Sequence, residues 1–460
     1  MPTPHFRSKA GRVRILTSRH GLGDCHLLRF KKPDGSAYHI LIDCGVVDVT
    51  PDPKGLMTRV AEDIVAETGG VIDVVVATHQ HTDHLSGFNQ ASAVFDKVTF
   101  QELWLSWMDE PNNKLAQKLQ KELVKNLGAV RLAAARMHGV GMSAAVHVKG
   151  ILDFFGPSVA GEKTQDIIEA LRGRKLLKKP PIYQKTGNCF TLKEVPDVRV
   201  YVLGPPEDPK DLKVMNPRKG EGYEALQLSA HTNGFVLAFA KGEEGHPFDR
   251  CHRKRTCKFP SYSEKDLDWR KIDDAWLQEA ERLALYLDDF TNNTSLALAF
   301  EFIDTGEVLL FPGDAQIGSW ISWEKLTWRV PGADGEIRNV RIKDLLERTV
   351  FYKGSHHASH NGTPHEAGTT QVGLEQMTHS DLVCVVPVDI NMSIKKRWDR
   401  TLPWPPLLNR LREITRGRLI LTDVAQPAPS PAKLKDLTPA ERKRFKNQVT
   451  TNKHWVEFLL

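Results

Sequence analysis

Residues Val75 to Phe88 read VVATHQHTDHLSGF. The apolar run Val71 to Ala77 that leads into this stretch is too short for a buried helix and rich in β-branched residues, which predicts a buried strand. Four ligand-type side chains, His79, His81, Asp83 and His84, leave its carboxyl end. On an extended segment His79 and His81 point the same way and can grip one cation. Asp83 and His84 lie past the strand end and can turn towards a second. Imidazole with carboxylate suits Zn²⁺, Mn²⁺ or Fe rather than Ca²⁺ or Mg²⁺ alone.

Upstream, residues 12 to 45 read as a β-meander: Val13 to Thr17, Cys25 to Phe30 and Tyr38 to Asp43, with a turn at Pro33-Asp34-Gly35. Gly21 and Gly23 supply tight turns before Asp24. Asp43, at a strand end beside a glycine, is either a turn former or a second-sphere carboxylate that orients a metal-bound imidazole.

The chain of 460 residues carries a net charge of +6, with 40% hydrophobic and 26% charged residues. Those figures describe an ordinary globular protein, mildly basic and compatible with an anionic substrate without requiring one. Nothing approaches a membrane span or a secretory signal, so a cytoplasmic protein is expected. The six cysteines are scattered and read as reduced thiols. Cys251 and Cys257, flanking His252, form a weak zinc candidate at a spacing that matches no common site.

Taken in order, Gly21-x-Gly23-Asp24, then Leu41-Ile42-Asp43-x-Gly45, then the histidine motif resemble the metallo-β-lactamase superfamily, and within it the hydrolase domain of the competence DNA-uptake (ComEC-type) family. Later landmarks continue the likeness: Leu203 to Pro206, Asn292 to Leu296, LLFPGDA at Leu309 to Ala315, YKGSHHASHNG at Tyr352 to Gly362, a helix over Pro403 to Leu411, and a strand over Leu419 to Val424. The resemblance implies an α/β fold, the metallo-β-lactamase αββα sandwich with helical insertions, as one domain over 1–460. Insertions fall at about 104–190 and 207–290, with a carboxyl-terminal extension at about 426–460.

Asp314 follows Gly313 at the end of an apolar strand, where its carboxylate can bridge two cations about 3.5–4 Å apart. His356 and His357 follow the strand Val350 to Lys353. One completes the second cation's shell, and the other is a proton donor or an outer contact. His360 is a weaker alternative. Many family members have a further histidine before the bridging aspartate. His231 is the best candidate in that interval.

The insertions should contain helices over Asn113 to Leu127, Val130 to Met137, Thr164 to Leu177 and Asp266 to Leu287. The third ends in a basic cluster of Arg172, Arg174, Lys175, Lys178 and Lys179, a solvated face or a device for steering a polyanion. After a Pro-rich linker, Gln426 to Pro431, a helix over Pro439 to Lys446 and a strand over His454 to Leu460 would close one edge of the fold.

The resemblance implies a metallo-hydrolase with two divalent cations, Zn²⁺ or Mn²⁺. It would be a phosphodiesterase or nuclease acting on DNA, in a family context of bacterial defence or stress effectors. Asp83 would orient the attacking water, and Lys353 or the free member of His356/His357 would assist the leaving group. The alternatives are a hydrolase of a small anionic ester (cyclic nucleotide, lactone or thioester), and a subunit active only with a protein partner docked on its insertions.

Overall fold

The β-branched run at residues 71–76 forms strand β4 (Val71–Val76), flanked on both sides by parallel neighbours and buried over its last three residues. A strand covered on both faces needs such a continuous apolar run. Around it the structure, a computed structural model, describes residues 11–156, 164–214, 277, 279–365, 372–396, 398, 402–423 and 434–460. It is a mixed α/β fold built on two large sheets and one two-stranded ribbon.

In chain order the first sheet takes β1 (Val13–Ser18), β2 (Cys25–Lys31), β3 (Ala37–Cys44), β4, β5 (Thr99–Ser106) and β6 (Ile182–Gln184). The second takes β7 (Cys189–Leu192), β8 (Val195–Val202), β9 (Leu298–Phe302) and β10 (Val308–Phe311), and later β13 (Thr349–Lys353), β14 (Val383–Val386) and β15 (Leu419–Leu421). Strands β11 (Thr327–Pro331) and β12 (Ile337–Arg341) make the separate ribbon. The last strands, β16 (Val449–Thr451) and β17 (Trp455–Leu459), return to the first sheet, where β17 pairs with β1. Each sheet is part parallel and part antiparallel. In the first, β3 to β6 run parallel and β17, β1, β2 and β3 antiparallel. In the second, β10, β13, β14 and β15 run parallel, and β7 to β10 antiparallel.

One apolar cluster joins the two sheets, with Ile15, Leu28, Ile40 and Val74 from the first meeting Val200, Phe300, Leu309 and Phe351 from the second. Two further clusters bury the outer faces. One lies between the first sheet and helices α1 (Pro53–Thr68) and α2 (Thr82–Gln90), through Leu41, Ile64, Val75 and Leu85. The other lies between the second sheet and the Ile317–Trp323 and Pro405–Ile414 helices, through Trp320, Tyr352 and Leu407.

Several boundaries differ from the sequence reading. The expected helices over Asn113 to Leu127 and Val130 to Met137 form one helix, Lys114–Gly139. Gly128 does not break it, because the buried stripe of Leu127, Val130, Ala133 and Met137 continues through it. The helix expected over Thr164 to Leu177 stops at Gly173, short of Leu177, which bridges to Phe100 instead. Within the stretch 104–190 expected as an insertion, Trp104 to Ser106 and Ile182 to Gln184 are strands of the first sheet. Of the expected Asp266 to Leu287 helix, the described part is Glu279–Asn292. The Pro-rich linker and the cysteines at 251 and 257 lie outside the described residues.

Carboxyl ends of parallel strands from both sheets meet at one edge, the usual position of ligand crevices in open α/β sheets. There the end of β3 presses on the first turn of α2. A β-carbon on Gly45 would lie 2.5 Å from the Thr82 carbonyl oxygen and 2.6 Å from the backbone of Asp83 and His84. Gly45→Ala should therefore lower stability by about 1–3 kcal/mol, the usual cost of overpacking, read as a lower denaturant midpoint at unchanged slope.

Candidate metal centre

Helix α2 starts where the strand signal ends. His81 is its N-cap in extended conformation, so Asp83 and His84 sit in the first helical turn, not in a free loop. That turn suits an aspartate, because its carboxylate faces the positive end of the helix dipole. From the second sheet, Gly313 adopts φ 59°, and this left-handed turn delivers Asp314 beyond β10. The β13 strand ends in Lys353, and His356, His357 and Ala358 then run through three successive left-handed residues at φ 46°, 49° and 58°. Such backbone costs L-residues about 1–2 kcal/mol each and is typically retained where it aims functional groups.

These elements bring Asp83, His84, Asp314 and His357 together, all buried, with one ligand atom from each within 4.8 Å of the others. The Asp314 Oδ2 lies 3.2 Å from His84 Nε2 and 3.3 Å from His357 Nε2. The Asp83 Oδ2 lies 3.0 Å from His357 Nε2 and 3.6 Å from His84 Nε2. His84 Nε2 and Asp83 Oδ1 have no hydrogen-bond partner despite complete burial. Buried polar atoms are normally satisfied. Imidazole nitrogens and carboxylate oxygens facing one another, two of them unsatisfied, are what a cation requires, so these residues fit a metal ion.

The outer nitrogens fix which atom faces inwards. His84 Nδ1 is 2.7 Å from Asp43 Oδ2, and Asp43 is held in turn by the Thr78 amide and hydroxyl at 2.8 and 2.7 Å. His357 Nδ1 donates to the Pro387 carbonyl at 2.8 Å. His79 Nδ1 lies 3.0 Å from the Thr78 hydroxyl and 3.2 Å from that of Ser295. The His79 Nε2 faces His81 Nδ1 at 3.2 Å, close to the about 3.3 Å that two nitrogens on one tetrahedral Zn²⁺ would show.

Charge shapes the same region. Burial alone would push the His84 and His357 pKa values down, but carboxylates led by Asp314 outweigh it, raising His84 well above the ordinary histidine range and His357 to about 10. His79 and His81 go the other way. Burial, with neighbouring imidazoles, lowers His79 well below the ordinary value, and burial brings His81 to about 4.

Three sequence assignments need revision. Lys353 was expected near the leaving group, but its buried Nζ donates to Asp314 Oδ1 at 2.7 Å, to the Gly313 carbonyl at 2.8 Å and to Asp24 Oδ2 at 2.6 Å. All three donors are used, so Lys353 clamps Asp314 through Oδ1 with Oδ2 turned to His84 and His357. His356 turns out of the cluster into amides: Asn292 Nδ2 at 3.2 Å from its Nε2, and Gln316 Nε2 and Asn361 Oδ1 at 3.1 and 3.2 Å from its Nδ1. Burial pushes its pKa to about 3, so the ring is neutral. His360 faces Trp404 and Ser359. His231 lies outside the described residues.

Sequence reasoning passed over Asp24, whose Gly-x-Gly-Asp turn was read only as a turn, and Asp288 and Asp289 near the end of the Glu279–Asn292 helix. Asp289 Oδ1 accepts from Gln316 and Asn361, each at 2.9 Å. Asp288 Oδ1 lies 3.7 Å from His81 Nε2. Two members of the basic cluster, Arg174 and Lys179, lie away from the site. Arg174 packs over Phe100 and donates to the Phe95 and Val98 carbonyls, and Lys179 pairs with Glu102. Phe100 lies near the start of β5, about 20 Å along the strand from Ser106, which contacts the site-side residue Asp109.

No protein-family model matches this chain, and no curated protein does.

The clamp and the cluster give separable expectations. Replacing Lys353 by Met removes the one ammonium shared by the buried Asp24 and Asp314 carboxylates, which should cost about 3–5 kcal/mol in chemical denaturation. His357→Ala should weaken divalent-ion binding by calorimetry at least about 10-fold, whereas His356→Ala should change it less than His357→Ala.

Proposed function

We propose that the chain is a metal-dependent hydrolase with the metallo-β-lactamase αββα sandwich, that its centre takes two divalent cations, Zn²⁺ or Mn²⁺, and that its substrate is a phosphodiester, DNA first. The observation that carries this reading is the convergence of Asp83, His84, Asp314 and His357 at one sheet edge with unsatisfied inward atoms. The His79 and His81 pair beside them supplies the start of a second site. Two joined sheets with helices on both outer faces support the sandwich. The ComEC-type landmarks support the substrate class.

When bound, the cations supply Lewis acidity, which acidifies water and offsets charge on phosphoryl oxygens. The residues do the remainder. Asp83 Oδ1, without a hydrogen-bond partner, is free to accept the proton of a water placed between the carboxylates. Lys353 holds Asp314 in place, and Asp43 and Pro387 hold His84 and His357. Phe155, ring to ring with His81 at 4.8 Å, keeps water from that side of the imidazole.

A second reading, a small anionic ester as substrate, draws on the engagement of Arg174 and Lys179 away from the site. No described helix is long and apolar enough to cross a membrane. The inserted helices leave Val124, Leu132, Val140 and Val146 exposed, which keeps a partner-dependent subunit as a third outcome.

The test is a digest of linear, circular and single-stranded DNA by Mn²⁺- or Zn²⁺-loaded protein, run beside bis-p-nitrophenyl phosphate, a cyclic nucleotide and a lactone. DNA cleavage that falls at least about 100-fold in Asp83→Ala is the expected result. Turnover of a small ester without DNA cleavage would overturn the nuclease assignment, and inactivity on every substrate would overturn the isolated enzyme.

A further inference from the structure

Three imidazoles of the centre have their outer nitrogen engaged: His84 by Asp43, His357 by the Pro387 carbonyl, and His79 by the Thr78 and Ser295 hydroxyls. His81 differs. Its Nδ1 faces His79, yet its Nε2 has no hydrogen-bond partner although the residue is only 2% exposed. The charged group facing that nitrogen is the Asp288 carboxylate, 16% exposed, with Oδ1 at 3.7 Å, and the Asn292 amide also lies beside the His81 ring.

We propose that Asp288 is the positioning residue of the first cation site: it receives His81 Nε2–H and so holds Nδ1 towards the cation shared with His79. This rests on the two-cation reading above. The gap of 3.7 Å exceeds a direct hydrogen bond and is closed by a small side-chain rotation or a bridging water. Asp288 stands behind His81, because its Oδ1 faces Nε2, the ring nitrogen opposite the one turned to His79. Two contacts steady the arrangement. Asn292 Nδ2 donates to Asp288 Oδ2 at 3.3 Å, and the Phe155 ring meets His81 at an interplanar angle of 89°. Asp288 belongs to the inserted Glu279–Asn292 helix, which packs on the inserted Lys114–Gly139 helix through Leu283, Leu287, Val130 and Ala133. The Glu279–Asn292 helix thereby builds the outer wall of the first site.

Calorimetric titration with Zn²⁺ and metal counting on the full chain test this directly. The wild-type protein is expected to bind two ions. Asp288→Leu should weaken one site 10- to 100-fold, the usual effect of removing an outer-sphere partner, and leave the other unchanged. Asp288→Asn, which keeps a carbonyl acceptor in the same shape, should retain most of that affinity and serves if the leucine variant does not fold. In a His81→Ala background Asp288→Leu should have no further effect. Two ions with unchanged affinities in Asp288→Leu would overturn this inference and leave the two-cation reading standing. An equal loss in the His81→Ala background would exclude action through His81. One ion or none in the wild-type protein would overturn the two-cation reading, and this inference with it.

Discussion

Burying like charges together is the constraint that organises this molecule. Asp24, Asp43, Asp83 and Asp314 are each at most 1% exposed and share one region with a single lysine, Lys353. Desolvated carboxylates are tolerated only when paired and hydrogen-bonded. Asp43 meets this through Thr78 and His84, and Asp24 and Asp314 through Lys353. Asp83 and the inward face of Asp314 are left to the imidazoles and to whatever positive charge enters between them.

The sheets explain how such a region can be built. Parallel strands from both sheets end at the same edge, so the ends of β3 and β13, the segments after β4 and β10 and the turn before β2 place these groups without long loops. The tightest part is the turn after β13, where three consecutive residues keep left-handed backbone to put His357 among the carboxylates and His356 among the amides. A regular turn there would separate the two side chains differently, and the strain is offset by the bonds from Pro387, Asn292 and Gln316.

Much of this was legible in the sequence because it is local. The β-branched run at 71–76, the His79 to His84 spacing and the apolar strand before Gly313-Asp314 each carry their own signal. What was not legible depends on distant partners. Nothing near Lys353 says that its ammonium will face Asp24 and Asp314 instead of solvent. The choice between His356 and His357 is made by backbone dihedrals and the Pro387 carbonyl. Asp288 and Asp289 sit in a helix whose charges read as an ordinary polar face, and only its packing on Lys114–Gly139 turns them towards His81 and Gln316. Gly128 misled in the other direction, since an apolar stripe outweighed one poor helix former.

The four-residue cluster draws Asp83 and His84 from one sheet and Asp314 and His357 from the other. An ion gripped by all four is thus a rivet between two layers that are otherwise joined by apolar contact. Ligation and folding then become linked equilibria. With an ion held there, resistance to heat or denaturant would depend on the ionic surroundings as much as on the core, and chelation would loosen the seam between the sheets before it touched their interiors.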